Sequence, residues 1–598
     1  MGMIDPKKPE LGEMPLWDLS DLYPGRESAE LKRDLEASAK NAAAFKAEYQ
    51  GKLAGLSGAA LGTAIATYEQ MDEVLGRLMT FGYLTYTLAV DDAAVGQFYQ
   101  GLQEQVTLIS SDLLFFGLEL RKIPDDVLAP KLGDAALAKY QPWLRDLRVM
   151  APHQLSDELE QYIHDKSVAG SSAWIRLFDE TMAGLRFTIR GEAMSNAEAF
   201  HLLQSADREL RRDASAEIMK VLAENIKLFA RITNTLAKSK EIDDKWRRFA
   251  APQSSRNMAN LVEDEVVAAL HSAVRTSYPQ LSHRYFRLKA KWLGLEKMET
   301  YDRNAPLPST EQRTIAWAEA EKMVRDAYRA FSPELEAVIA PFFSKGWIDA
   351  PVRQGKEGGA FSHPAVPSVH PYVLMNYLGN PRDVMTLAHE LGHGAHQVLA
   401  GRTQGHLVAD TPLTLAETAS VFGEMLTFRA LLAKETDAKR RKALIAGKVE
   451  DMLNTLVRQI AFYEFELGVH TERRKGELTP ERIGEIWMKA QRESLGDAFN
   501  YTPGYANLWA YIPHFIHSPF YVYAYAFGDC LVNALYATYQ AQPDGFAEKY
   551  MELLKSGGRL RHKELLAPFG LDATDPAFWQ RGISVVSGLI DELEKLDG

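Results

Sequence analysis

The chain has 598 residues, 46% of them hydrophobic and 25% charged, which is the composition of an ordinary globular protein and excludes a disordered or fibrous one. Its 68 Lys and Arg residues against 80 Asp and Glu residues give a formal charge of −12, so we expect neither a nucleic acid nor an anionic membrane as a partner. The single cysteine, Cys530, excludes an intramolecular disulfide and favours a reducing compartment. Because residues 1–24 lack the apolar stretch of a secretory signal, we expect a cytoplasmic protein.

Most of the chain has the periodicity of amphipathic helices. Apolar residues recur at three- and four-residue spacing over residues 28–122, 196–240, 261–295 and 311–343. The exception is residues 347–377, where glycines and prolines surround a short β-prone run. We therefore predict a mostly α fold with a small sheet. Turn-rich sequence before residue 200 favours an N-terminal helical region, 1–200, followed by a catalytic region, 201–598.

Residues 498–528 carry no Asp, Glu, Lys or Arg, which raises the question of a membrane span. Three prolines interrupt this segment, and its two histidines and six tyrosines make it too polar for lipid. We therefore predict a buried aromatic wall that faces a cleft, with an aromatic core segment as the alternative.

One helix is predicted over residues 381–400. Asn380 is a preferred N-cap residue, Pro381 suits the first helical position, and Gly401 follows the apolar run as a stop. The residues near the middle of this segment are apolar or small, which favours a buried helix.

His389, Glu390 and His393 lie within this helix as H-E-x-x-H, the signature of zinc proteases. Four residues make about one helical turn, so both imidazoles project from one face and can share a metal ion. A buried His-Glu-His cluster without a metal would be costly, so we favour a metal site over satisfied core histidines. His396 lies about 10 Å along the axis from His389, and we expect it to support the site or face the cleft, with a His393/His396 ligand pair as the alternative.

A catalytic zinc ion takes three protein ligands and keeps one position open for water, so a third ligand must come from elsewhere in the chain. Glu417 and Glu424 are the next candidates. They stand seven residues apart on a helix predicted to begin near Thr411 and Pro412, so they share a face. The alternative role for Glu417 is in a capping box that starts at Thr414, which the Pro412 start disfavours.

Together these features resemble the oligoendopeptidase F and thimet oligopeptidase family of zinc metallopeptidases. The resemblance spans most of the chain and rests on segments in the right order. They are residues 15–24, 301–307, 355–361, 371–377, 389–396, 416–420 and 519–525.

The resemblance implies an elongated helical body with a deep substrate channel and a small sheet next to the zinc site. It implies one Zn²⁺ per chain, bound by His389, His393 and Glu417, with Glu424 as a supporting residue. An edge strand matching residues 372–376 would pair with the backbone of a peptide substrate. The predicted substrate-binding residues of this region are Gly358, Gly359, Tyr372, Val373, Leu374 and Met375.

The family also places a histidine and tyrosines from the C-terminal region over the scissile carbonyl. His514 and Tyr525 are predicted for this catalytic role, because an imidazole or phenol donor would stabilise the oxyanion. His517, Tyr521 and Tyr523 are predicted substrate contacts. The histidines lie three residues apart and the tyrosines two apart, so the assignment among them stays open.

The predicted function is hydrolysis of internal bonds in short unfolded peptides by metal-activated water, with Glu390 as the general base. One alternative is a carboxypeptidase or dipeptidyl carboxypeptidase of the same family. Another is an inactive helical scaffold that binds peptides. Glu390 disfavours the scaffold, since a structural zinc site needs no base and usually has four protein ligands. The sequence leaves the oligomeric state and the cleavage-site preference open.

Overall fold

The computed structural model describes residues 11–307 and 314–597, so parts of the N-terminal stretch and of the helical segment 311–343 lie outside the described residues. The predicted fold class is confirmed, with 72% of residues helical and 3% in strands. None of the described helices is long and apolar enough to cross a membrane. The helices are α1 (Ala29–Tyr49), α2 (Gly58–Thr87), α3 (Ala93–Lys122), α4 (Asp125–Leu128), α5 (Gln141–Leu147), α6 (Asp157–Ser167), α7 (Ser171–Gly184), α8 (Asn196–His201), α9 (Arg208–Trp246), α10 (Ser254–Ala259), α11 (Asp264–Ser277), α12 (Ser282–Trp292), α13 (Trp317–Phe331), α14 (Pro333–Ser344), α15 (Pro381–Gln404), α16 (His406–Ala409), α17 (Leu413–Ala416), α18 (Thr418–Lys434), α19 (Ala438–Thr455), α20 (Val457–Arg473), α21 (Pro480–Leu495), α22 (His514–His517), α23 (Tyr523–Ala541), α24 (Phe546–Lys555), α25 (His562–Leu566) and α26 (Pro576–Asp597).

The chain divides into two compact units, each assembled from three separate stretches. Unit 1 comprises Met1–Ala151, Gln312–Lys434 and Thr538–Leu571, and unit 2 comprises Pro152–Glu311, Glu435–Ala537 and Asp572–Gly598. A functional division at residue 200 stays a prediction. The strands are β1 (Phe187–Ile189), β2 (Glu192–Met194), β3 (Met298–Glu299), β4 (Ile348–Asp349), β5 (Phe361–His363), β6 (Tyr372–Leu374) and β7 (Phe499–Asn500).

Three long helices, α1 to α3, form one part of unit 1. Each begins with a side chain that caps its first turn: Ser28, Ser57 and Asp92 accept hydrogen bonds from backbone N–H groups. Their apolar faces meet in a core that includes Phe45 and Phe116, with ring centroids 5.1 Å apart. The predicted helical periodicity of residues 28–122 is therefore confirmed.

The sheet of unit 1 has the strand order β4-β6-β5. Strand β6 is parallel to β4, pairing Val373 with Ile348, and antiparallel to β5, where Val373 pairs with Ser362. The expectation that residues 372–376 form an edge strand is therefore wrong. Both sides of β6 are occupied, and its side chains are fully buried, so Tyr372, Val373 and Leu374 cannot pair with a peptide substrate through their main chain.

Unit 2 contains the 39-residue helix α9 and two small sheets, β1-β2 and β3-β7. The uncharged segment 498–528 forms β7, a 3₁₀ helix over Pro503–Tyr511, α22 and the start of α23. Tyr505 and Tyr523 of this segment are buried, whereas Tyr525 is 36% exposed, so the segment is part core and part surface.

Cys530 is buried, and burial raises the pKa of its thiol, which fits an inert side chain.

Candidate active site

Helix α15 carries the H-E-x-x-H residues and begins with the predicted cap. The Asn380 side chain accepts a hydrogen bond from the Asp383 N–H at 3.0 Å, and the Asp383 carboxylate accepts one from the Asn380 N–H at 3.1 Å. The helix does not stop at Gly401 as predicted. It continues for another turn to Gln404, and Gly405, with a φ of 75°, ends it by donating its N–H to the Gly401 carbonyl.

A glycine allows α15 to approach α18 closely. A Cβ atom at Gly392 would lie 2.6 Å from the Cα of Ser420, so a larger residue would force the two backbones apart. One turn before Gly392 in α15, the Ala388 carbonyl accepts a hydrogen bond from the buried hydroxyl of Tyr328 at 2.6 Å. These contacts fix the distance between the histidines of α15 and the chain segment before α18.

Glu417 lies between α17 and α18, with φ −79° and ψ 0°. The continuous helix predicted from Thr411 is therefore wrong. The Thr418 hydroxyl donates to the Leu415 carbonyl, and the Ser420 hydroxyl donates to the Glu417 carboxylate at 2.7 Å. These two hydrogen bonds hold the break and orient the Glu417 side chain.

The three predicted metal ligands lie together. Glu417 Oε2 is 3.4 Å from His389 Nε2 and 3.5 Å from His393 Nε2, and one donor atom from each residue lies within 4.8 Å of the others. All three side chains are partly exposed. The group therefore combines two imidazoles and one carboxylate at a place that solvent can reach.

Further groups orient both imidazoles. His389 Nδ1 is 3.2 Å from Glu424 Oε2, so the predicted supporting carboxylate is in contact with a ligand, and a ring N–H of His393 donates to the Ala416 carbonyl. Burial opposes protonation of His389, but the hydrogen bond to Glu424 and the surrounding carboxylates outweigh it and raise its pKa to about 9. Burial lowers the pKa of His393 to about 4.

Glu390 is buried, with 7% of its surface exposed. Burial raises its pKa to about 7, against the lowering effect of His389, and its carboxylate accepts a hydrogen bond from the Ser362 N–H. The Ser362 hydroxyl and carbonyl are both bonded to the Gln397 amide, at 2.9 and 3.1 Å. Sequence reasoning missed Ser362 and Gln397, because their role depends on how β5 lies along α15.

His396 is buried and points elsewhere. Its Nε2 is 3.3 Å from the Thr411 hydroxyl, and it is outside the group of three donors. Burial lowers its pKa to about 4, so the ring is neutral.

Gly358 and Gly359 are exposed, and the Asn376 amide donates to the Gly359 carbonyl at 3.1 Å. The role of these two glycines in substrate binding stays a prediction. Met375, which directly follows β6, is buried.

The candidate residues of unit 2 separate into two groups. His514 Nε2 is 3.3 Å from the Tyr525 hydroxyl, and the Tyr521 ring lies 5.3 Å from that of Tyr525. His517 instead bonds to Asp179 at 2.8 Å, and the buried hydroxyl of Tyr523 accepts a hydrogen bond from Asn260 at 2.9 Å.

The turn before these tyrosines has a non-glycine residue, Phe520, at a φ of 60°. Buried Glu466 accepts a hydrogen bond from its N–H at 2.8 Å, which holds this strained backbone in place. The pairing of His514 with Tyr525 agrees with the residues chosen from the sequence, but their catalytic role stays a prediction.

A mostly helical fold, with an H-E-x-x-H helix that meets a third possible metal ligand, has the features of a peptidase. The model of Peptidase family M3 matches residues 201–585, and the Oligopeptidase F model matches residues 119–187. The chain belongs to peptidase family M3.

Named relatives agree with this membership along the whole chain. Oligopeptidase PepF of Bacillus subtilis is 27% identical over 99% of this chain and 88% of its own length. Group B oligopeptidase PepB of Streptococcus agalactiae is 26% identical over 91% and 92%. The crystal structure of a putative peptidase from Chlamydophila abortus has the same fold, with a TM-score of 0.87 and 24% identity over 98% of this chain and 99% of that one. Oligoendopeptidase-F from Enterococcus faecium gives a TM-score of 0.69 and 23% identity over 95% and 97%.

Proposed function

We propose that this peptidase is a zinc-dependent oligoendopeptidase of the cytoplasm that hydrolyses internal bonds of short, unfolded peptides. The observation that carries the proposal is the convergence of His389, His393 and Glu417, with Glu390 beside them on α15. The names of relatives from Lactococcus lactis, which are oligoendopeptidases F, support the endopeptidase mode.

The donor set fits zinc. Two imidazoles and one carboxylate are a common set of protein ligands for catalytic zinc, and three protein ligands leave one position for water or substrate. Glu424 and the Ala416 carbonyl each hold one imidazole, as groups around a metal ligand commonly do. When bound, the zinc ion would lower the pKa of a water molecule and polarise the scissile carbonyl.

Glu390 is the proposed general base. Its carboxylate takes a proton from the attacking water and later gives it to the leaving amine nitrogen. Because the Ser362 N–H and the Gln397 amide fix the strand beside it, the carboxylate is held in one position before substrate binds. Its burial keeps the proton-accepting group out of bulk solvent.

His514 and Tyr525 are the proposed donors to the developing oxyanion. Their mutual contact at 3.3 Å supports a joint role, since each can fix the orientation of the other's polar hydrogen. Tyr521 lies beside both rings and is the proposed substrate contact of this group.

The test is to identify by mass spectrometry the products formed from a pool of short synthetic peptides with zinc supplied. We expect internal cuts by the wild type, a loss of about 10²- to 10⁴-fold in rate for Glu390→Gln, and no loss for Glu435→Gln. Glu435 is a matched control because its carboxylate pairs with Arg440 on the surface. Dipeptides shed only from C-termini would replace the endopeptidase by a dipeptidyl carboxypeptidase, and no cleavage at all would leave the binding scaffold as the better account.

A further inference from the structure

Unit 2 contains two arginines, Arg303 and Arg458, whose positive charge is not balanced by an ion pair. Neither guanidinium has a carboxylate within ion-pair distance among residues 11–307 and 314–597. Two other cationic residues of unit 2 do have ion-pair partners: Arg211 pairs with Asp302 at 2.8 Å, and Lys289 pairs with Glu450 at 2.5 Å. The two arginines therefore add uncompensated positive charge to a partly buried part of the molecule.

Neutral groups hold both guanidinium groups in place. Arg303 Nη2 donates to Asn454 Oδ1 at 3.2 Å, and Arg458 Nη2 donates to the Tyr511 hydroxyl at 2.8 Å. The Arg458 guanidinium also lies 5.0 Å from the centroid of the Phe462 ring. These contacts orient the side chains but leave their charge free to attract an anion.

Several hydrogen-bond donors of this region are buried without an acceptor in the described part of the chain. They include the Nε atoms of Arg303 and Arg458 and the Nε2 atom of Gln491. The Gln491 amide oxygen already accepts a hydrogen bond from the Tyr505 hydroxyl at 3.1 Å, and Tyr505 is in turn hydrogen-bonded to Arg303. Donors thus outnumber acceptors around Tyr505, and burial together with the charge of nearby Arg458 lowers the pKa of Arg303. An excess of donors beside two positive charges is the chemistry of an anion site.

The group adjoins a cavity of about 400 Å³ in unit 2. Tyr511, which accepts the hydrogen bond from Arg458, lines this cavity together with Phe200, Pro513 and Asp179, whose carboxylate is paired with His517 at 2.8 Å. His514 follows Pro513 in the chain, and burial together with the positive charge of Arg458 lowers the pKa of that histidine. Arg458 is therefore one hydrogen bond away from space that a ligand can enter, and its charge acts on the predicted oxyanion donor.

We propose that Arg303 and Arg458 form a subsite for a carboxylate group of the peptide substrate. A carboxylate offers two oxygens in a plane, which matches the fork of donors on a guanidinium. It would supply acceptors for the buried donors and balance the charge of both arginines. The proposal rests on the proposed peptidase function, and it names the feature of a peptide that the enzyme would select.

Two sources supply this chemistry: the C-terminal carboxylate of the peptide and the side chain of an Asp or Glu within it. If the subsite binds the C-terminal carboxylate, the cleaved bond lies at a fixed number of residues from the C-terminus. If it binds an Asp or Glu side chain, the enzyme prefers acidic peptides. Three versions of one peptide separate them: the free acid with an internal Glu, its C-terminal amide, and the free acid with Gln in place of Glu.

The experiment measures binding of these peptides by titration calorimetry to the zinc-loaded Glu390→Gln protein, which does not turn them over. We expect either the C-terminal amide or the peptide with Gln in place of Glu, each of which lacks one carboxylate, to bind about 10- to 100-fold more weakly than the free acid with Glu. Arg303→Gln and Arg458→Lys should each remove most of that difference, the second because Lys keeps the charge but loses the fork. Arg482→Gln is the matched control, since Arg482 is exposed and pairs with Glu472.

The proposal is overturned if the protein with both arginines intact binds all three peptides equally. It is also overturned if the preference for a carboxylate persists in both arginine variants. The first comparison needs no arginine variant, so it stands even if Arg303→Gln fails to fold, and Arg303→Lys then provides the second comparison. Failure of the peptidase proposal is seen separately, as an absence of cleavage by the wild type, because binding to the inactive variant does not depend on turnover.

Discussion

The buried polar groups of the two units have opposite chemistry. Around the histidines of α15 in unit 1 they are mostly acceptors, the carboxylates of Glu390, Glu417 and Glu424. Around Arg303 and Arg458 in unit 2 they are mostly donors. The first arrangement suits a cation, whereas the second suits an anion.

The largest effect is expected from Glu417→Gln, which tests the cation site directly. Loss of the anionic ligand should lower zinc retention after dialysis to a small fraction of the wild-type content and reduce peptidase activity by about 10³-fold or more. Zinc content by atomic absorption and kcat/KM for one peptide measure the two effects. Full zinc retention with unchanged activity would move the third ligand to another residue.

The next largest effect is expected from Tyr525→Phe, which tests whether a hydroxyl of unit 2 takes part in the reaction. Removing an oxyanion donor should lower kcat by about 10²- to 10³-fold, without loss of stability because this side chain is 36% exposed. Tyr523→Phe is the matched comparison in the same helix, because the Tyr523 hydroxyl, predicted from sequence to contact substrate, is instead buried against Asn260. It removes a buried hydroxyl that Asn260 donates to, so it should lower the melting temperature and leave kcat nearly unchanged. The reverse pattern would exchange the roles of the two tyrosines.

A smaller effect is expected from Glu424→Gln, which keeps the shape of the side chain but removes the charge that holds His389 Nδ1–H. Zinc affinity should fall by about 10- to 100-fold, as it does when a group that orients a metal ligand is altered. Competition with a chelator measures the affinity. A fall as large as that of Glu417→Gln would make Glu424 a direct ligand.

The cation site could be predicted from sequence because its signals are local. The spacing of His389 and His393 puts them on one face of any helix, and Asn380 and Pro381 mark where that helix begins. The anion site had no such signal, since Arg303 and Arg458 come from distant parts of the chain and neither lies in a motif. Its only trace was the cluster of tyrosines in residues 498–528.

Two local predictions were wrong because distant contacts decided them. The sequence around Glu417 favours a continuous helix, but the Ser420 hydroxyl bonds to the Glu417 carboxylate and α15 packs against the following turn, so the helix breaks. The position of β6 was misjudged although a signal existed. Residues 372–375 are all large and mostly apolar, without the alternation expected of a strand at a half-exposed edge, and such runs are typical of central strands.

The smallest effect is expected from Gly392→Ala, which tests whether the cation site depends on how closely α15 and α18 approach each other. The added Cβ would meet the backbone of Ser420, which cannot rotate away as a side chain can. Overpacking of this kind costs about 1–3 kcal/mol of unfolding free energy. Because the displaced segment carries Glu417, zinc affinity should fall in the same variant.

Gly447→Ala is the matched control, because a Cβ there meets nothing within 4 Å and Gly447 is exposed in α19. Alanine should stabilise that helix by about 0.5–1 kcal/mol through its higher helix propensity and leave zinc affinity unchanged. Gly392→Ala should therefore lower both the melting temperature and the zinc affinity, whereas Gly447→Ala should raise the melting temperature and leave the zinc affinity unchanged. If Gly392→Ala behaved like Gly447→Ala, the approach of the two helices would not determine the position of Glu417, and its hydrogen bond with Ser420 would have to hold it alone.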